Sequence, residues 1–122
     1  MNVIVADDSI MVRSIIEKII TSLGYELFQA TQGEEVIEIL EKMDVEVGLI
    51  LMDWNMPTMD GFQALVQIKK DRRFSSIPVI MLTSESDDNK IKMAYDAGAA
   101  GYVKKPFTRD ELVENMQQVL KD

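Results

Sequence analysis

The chain has 122 residues, one ordinary domain's worth, with 47% apolar and 28% charged residues, a balance that excludes a disordered chain. It contains no cysteine and no histidine. That excludes disulfides, thiolate or imidazole metal ligands, thiol catalysis and any phosphohistidine of its own. The net charge of −8 argues against direct nucleic-acid binding and against anionic membrane surfaces, where affinity comes from Lys and Arg meeting phosphate.

The apolar runs fall far short of the roughly 20 residues that a membrane helix needs. Acidic residues at Asp7 and Asp8 interrupt the start before any leader-like stretch. A cytoplasmic protein without membrane insertion is the expectation. Charge is uneven: residues 1–61 carry twelve acids and three bases, and residues 62–122 carry nine acids and ten bases.

In chain order, Val3-Ile4-Val5-Ala6 is a short apolar run ending in Asp7-Asp8. Val12, Ile15, Ile16, Ile19, Ile20 and Leu23 then follow helical spacing, with Ser9 placed to cap the start and Gly24 just past the end. Glu26–Ala30 is a weaker strand candidate. Val36, Ile37, Leu40 and Met43 form a second helical stripe behind Glu34 and Glu35. Val47 to Met52 is a continuous apolar run ending in Asp53. A third stripe, Phe62, Leu65, Val66 and Ile68, ends at Lys69-Lys70. The cations Lys69, Lys70, Arg72 and Arg73 suit a helix C-terminus and are assigned to solubility.

Pro78 to Leu82 is a strand ending in Thr83-Ser84. Ile91, Ala94 and Tyr95 make a fourth, weaker stripe before Gly98. Ala100 to Val103 is a strand ending in Lys104-Lys105-Pro106. Thr108 and Glu111 form a capping box before Leu112, Val113, Met116, Val119 and Leu120. Most of the nine methionines fall at core-like positions and read as packing.

Five strand-then-helix units in strict alternation predict an α/β fold with a parallel sheet covered on both faces. Sites in such folds lie beyond the carboxyl ends of the strands. Those ends carry Asp7, Asp8, Asp53, Thr83, Ser84 and Lys105. Three converging carboxylates would push at least one pKa up, and a hard divalent cation would relieve the conflict. Mg2+ takes oxygen ligands and one or two carboxylates, and no histidine or cysteine is present to build another kind of site here. A lysine, a hydroxyl and a carboxylate nucleophile beside such an ion are the parts that phosphoryl transfer requires.

These residues resemble those of the response-regulator receiver domains of two-component signalling. The resemblance runs from Ile4 to Leu120. It rests on Asp7-Asp8, on Asp53-Trp54-Asn55-Met56-Pro57 with Asp60-Gly61, on Thr83-Ser84 and on Lys105-Pro106-Phe107. It implies a doubly wound, flavodoxin-like fold of five strands in order 2-1-3-4-5 with five helices. It also implies a single receiver domain over residues 1–122, without an output domain.

The resemblance assigns roles as well. Asp53 would accept the phosphoryl group from a phosphohistidine on a partner histidine kinase. Asp8 and Asp53 would hold Mg2+ with the backbone carbonyl of Asn55, and Asp7 would act through water. Lys105 and the Ser84 backbone N–H would hold phosphoryl oxygens. Thr83 and Tyr102 would form the switch, and Asn55 and Glu85 would tune dephosphorylation. The Lys105–Pro106 bond would be cis. Apart from the resemblance, a lone tryptophan at Trp54 reads equally as a partner-surface mark or as a half-exposed aromatic beside the site.

Within the family the sequence looks most like the stand-alone chemotaxis regulators. The implied protein is a signalling switch that catalyses only its own phosphorylation and dephosphorylation. Its partners would be a kinase, a target such as a flagellar motor switch component, and possible phosphatases. A phosphorelay intermediate or phosphate sink is the alternative. A haloacid-dehalogenase-like phosphatase is disfavoured because Asn55 stands where that class carries a second aspartate. A flavin binder is disfavoured because two acids follow the first strand, where a phosphate loop needs neutral donors.

Overall fold

The computed structural model describes residues 1–44, 46–84 and 88–121. Five strands alternate with five helices: β1 (Asn2–Ala6), α1 (Ile10–Ser22), β2 (Glu26–Ala30), α2 (Gly33–Lys42), β3 (Val47–Asp53), α3 (Gly61–Lys70), β4 (Val79–Thr83), α4 (Asp88–Asp96), β5 (Gly101–Lys104) and α5 (Arg109–Leu120). All strand pairs are parallel and the sheet order is β2-β1-β3-β4-β5. The order expected from the family resemblance is the one observed.

Alternate strand residues feed two separate cores, because a strand's side chains point to opposite faces. Val3, Val5, Leu49, Leu51, Ile80 and Leu82 pack with Ile16, Ile19 and Ile20 of α1 and Leu112 and Met116 of α5. Ile4, Ala6, Ile50, Met52, Val79 and Met81 pack with residues of α2, α3 and α4. Two-sided burial explains why these strands read as unbroken apolar runs.

The helix ends follow local chemistry. Ser9 accepts a hydrogen bond from the Val12 N–H at the start of α1, and Gly24 takes φ +83° just past its end. Capping boxes form at Asp60/Gln63 and Thr108/Glu111.

Three expectations change. Tyr95 is 48% exposed and outside the core, and Ala94 is the buried residue of α4. Ile15 is also exposed, on the outer flank of the α1 stripe. Lys69 does more than promote solubility. Its ammonium donates to the carbonyls of Ser75 (3.0 Å) and Ile77 (2.7 Å), stapling the connection into β4. Burial lowers its pKa.

The observed order also sorts the charge. The acid-rich residues 1–61 build β2, β1 and β3, and the remainder builds the β4–β5 side of the sheet.

Candidate functional site

The site forms where the ends of the three central strands meet. Ala6 lies opposite Met52, so the residues that follow, Asp7 and Asp53, come side by side. Asp53 in turn lies opposite Leu82, and Thr83 lies opposite Lys104. The register therefore gathers the strand-end residues into one cleft.

Ligand oxygens of Asp7, Asp8 and Asp53 lie within 4.8 Å of one another. Asp7 is fully buried, Asp53 is 5% exposed and Asp8 is exposed. The Lys105 ammonium bridges the two buried carboxylates, 2.6 Å from Asp7 Oδ2 and 3.2 Å from Asp53 Oδ1. Asp7 Oδ1 accepts from the Ser9 N–H at 2.9 Å. Asp53 Oδ1 accepts a long bond from the Asn55 N–H at 3.4 Å. Burial and then the Asp7 charge raise the Asp53 pKa from 3.8 to about 6, against the opposing pull of Lys105.

The backbone around Asp53 is tightly held. The Trp54 N–H donates to the Leu82 carbonyl at 3.1 Å, and the Gly61 N–H donates to the Trp54 carbonyl at 2.8 Å. A Cβ at Gly61 would collide with the Asp53 carbonyl oxygen, so only glycine fits at the first residue of α3. Thr58, in the loop between, takes φ 67°. That is an outlier for a β-branched residue.

Thr83 is fully buried at the end of β4 and Ser84 beside it is exposed. Tyr102 is half-buried on β5, opposite Met81, and packs on the same core as α3 and α4. Asn55 is exposed. The Lys105–Pro106 bond is cis. Glu85 lies outside the described residues. Trp54 is 6% exposed, so neither a half-exposed position nor a partner surface fits it. Its ring stacks on Phe62 at 5.1 Å and lies beneath the Lys90 ammonium at 5.5 Å. Arg13, which the sequence did not single out, donates to the Asp7 carbonyl at 2.7 Å.

The donor set fits a hard divalent cation. It is all oxygen, carries an excess of negative charge and has one exposed carboxylate at its mouth. The fold and the cleft together define a receiver-type signalling domain. The chain belongs to the response regulator receiver domain family, whose model matches residues 3–117.

The chain is 37% identical over 122 residues to the chemotaxis protein CheY1 of Helicobacter pylori, covering 98% of this chain and 97% of that protein. It is 34% identical over 121 residues to the CheY homolog of Campylobacter jejuni, covering 98% and 92%. Among solved structures, CheY4 of Vibrio cholerae superposes with a TM-score of 0.90 at 31% identity, covering 98% of each chain. The receiver domain of a Pseudomonas aeruginosa sensor histidine kinase, with magnesium coordinated in its active-site cleft, superposes with a TM-score of 0.88 at 26% identity, covering 99% and 98%.

Proposed function

We propose that the protein is a phosphorylation-activated switch in which Asp53 takes a phosphoryl group from a phosphohistidine on a partner kinase. The observation that carries this reading is the shared ammonium: Lys105 contacts Asp7 and Asp53 at once. It offsets part of the resting negative charge and stands ready to meet a phosphoryl oxygen on Asp53. A divalent ion held by Asp8, Asp53 and the Asn55 carbonyl, with Asp7 through water, would supply charge neutralisation during transfer.

The residues of the chain do the positioning. Asp53 offers the nucleophilic carboxylate from a main chain fixed on both sides. Lys105 pairs with charge that develops on the transferred group. The Ser84 N–H and the Thr83 hydroxyl, at the end of β4, complete the phosphoryl contacts. Tyr102 packs inward as Thr83 turns toward the phosphoryl group. Asn55 and Glu85 set how readily water removes that group. Exposed Met11 and Ile15 of α1 line an apolar groove with Phe107 beside Ser84 and Lys105, which gives a phosphodonor protein ground to rest on.

The output is a change in binding surface, in a chemotaxis setting such as the CheY relatives are named for. Moving the active fraction from 1% to 99% takes about 5.5 kcal/mol of preference for that state. The charge-assisted bonds from Lys105 and Thr83 contribute to it. Incubation with a phosphorylated histidine kinase and Mg2+ should label the parent chain and leave Asp53→Asn unlabelled. Full labelling of the variant at the same site would overturn the assignment.

A further inference from the structure

Arg13 is a half-buried cation of α1 that the reading above leaves without a role. The β1–β2 ladder ends just beside it. The Asp7 N–H still donates to the Ala30 carbonyl at 3.1 Å, but the partner chain then turns away into α2, with Gln32 as its N-cap. The Asp7 carbonyl has therefore run past the last strand donor. Arg13 supplies the donor instead, with Nη1 2.7 Å from that oxygen.

The same guanidinium is aimed by a second contact. Its Nε donates to Gln29 Oε1 at 3.1 Å, and Gln29 Nε2 donates to Glu17 Oε2 at 3.4 Å. One planar fork thus ties α1 to the end of β1 and to β2. A guanidinium can do this because its donors are rigidly spaced.

The carbonyl that Arg13 holds belongs to the peptide joining Asp7 to Asp8. Fixing that oxygen fixes the peptide plane, and with it the position from which the Asp8 side chain starts. The Asp8 carboxylate is exposed and accepts no hydrogen bond among the described residues. Its aim toward the cleft depends on its backbone. Asp7, by contrast, is gripped at both carboxylate oxygens.

We propose that Arg13 is a positioning residue for the cation site, orienting the Asp7–Asp8 peptide so that Asp8 faces Asp53. This rests on the reading of the cleft as a Mg2+ site. The sign of its effect separates positioning from charge. Arg13 is itself a cation, so by simple repulsion its removal would tighten Mg2+ binding. A positioning role requires the opposite.

The test is the Mg2+ dissociation constant, read by Trp54 fluorescence or calorimetry, for the parent, Arg13→Met, Arg13→Lys and Asp8→Asn. Urea denaturation of each in EDTA shows that it is folded under the assay conditions. Arg13→Met should weaken Mg2+ about tenfold, as loss of a group supporting a metal ligand does. Arg13→Lys, which keeps a donor but not the fork, should recover part of that loss. Unchanged or tighter binding in folded Arg13→Met overturns the proposal, even if its stability falls. Undiminished binding by Asp8→Asn would instead overturn the cation-site reading on which the proposal rests.

Discussion

Lys105 and Asp7 are 98 residues apart in sequence, yet their side chains meet at 2.6 Å, with the Asp7 carboxylate wholly shielded from water. This pair fastens the end of β5 to the end of β1 across the two strands that separate them. A buried carboxylate stripped of its partner is strongly unfavourable. Lys105→Met should therefore lower stability by about 3 kcal/mol in EDTA. Mg2+ should return part of the loss by replacing the missing positive charge. Chemical denaturation with and without Mg2+ checks both; a loss indifferent to the metal would count against the shared cleft.

Asp53 links folding to pH. Its folded pKa is raised from 3.8 to about 6, so between those values the folded chain holds a proton that the unfolded chain has released. Stability therefore falls as pH rises through this window, and the full penalty is present above about pH 6. Two pKa units correspond to about 3 kcal/mol. Asp53→Asn should be more stable than the parent above pH 6 in EDTA, and the gap should close toward pH 4. Urea titrations across that range would show it. A gap independent of pH would argue against the raised pKa.

The same proton competes with a cation for Asp53. Below pH 6, apparent Mg2+ affinity should fall by up to tenfold per pH unit; above it, affinity should level off. Mg2+ titrations monitored by Trp54 emission would follow this curve. Trp54 is suited to report because its backbone directly follows Asp53 and its ring is buried against Phe62.

Thr58 offers a check on the loop after Asp53. A threonine at φ 67° bears strain that asparagine tolerates better. Thr58→Asn should raise stability by about 1 kcal/mol, seen as a higher urea midpoint at an unchanged slope. A lower midpoint would show that Thr58 earns its place by a contact.

Thr83→Val separates receipt of the phosphoryl group from response to it. The variant should still be labelled on Asp53, while the Tyr102 ring resonances that shift in the phosphorylated parent should stay put. Tyr102 shifts in Thr83→Val equal to those of the parent would remove Thr83 from the switch.

The acids and the lysine of the cleft were legible because parallel strands present their carboxyl ends on one side. Residues at the ends of apolar runs must therefore cluster. The order in which they cluster came from the family resemblance, since alternation alone leaves several parallel topologies open. Trp54 misled because its burial comes from Phe62, eight residues on, and from Lys90 on another helix. Tyr95 misled because α4 is short and buries only Ala94, so a neighbouring aromatic can follow the helical period and still face solvent. Arg13 gave no signal, since an arginine in an amphipathic helix looks the same whether it faces water or a strand end.

Gly61 bears on where a signal can travel. With the start of α3 pressed against the Asp53 carbonyl and the Trp54 backbone bonded on both sides, the Asp53 side chain stands on an anvil. Charge added to it meets a main chain that does not yield toward α3. On the proposed reading, the open direction for a displacement is across the cleft, toward the β4 end and Thr83. A single hydrogen where any other residue has a side chain would thus give the proposed switch a direction.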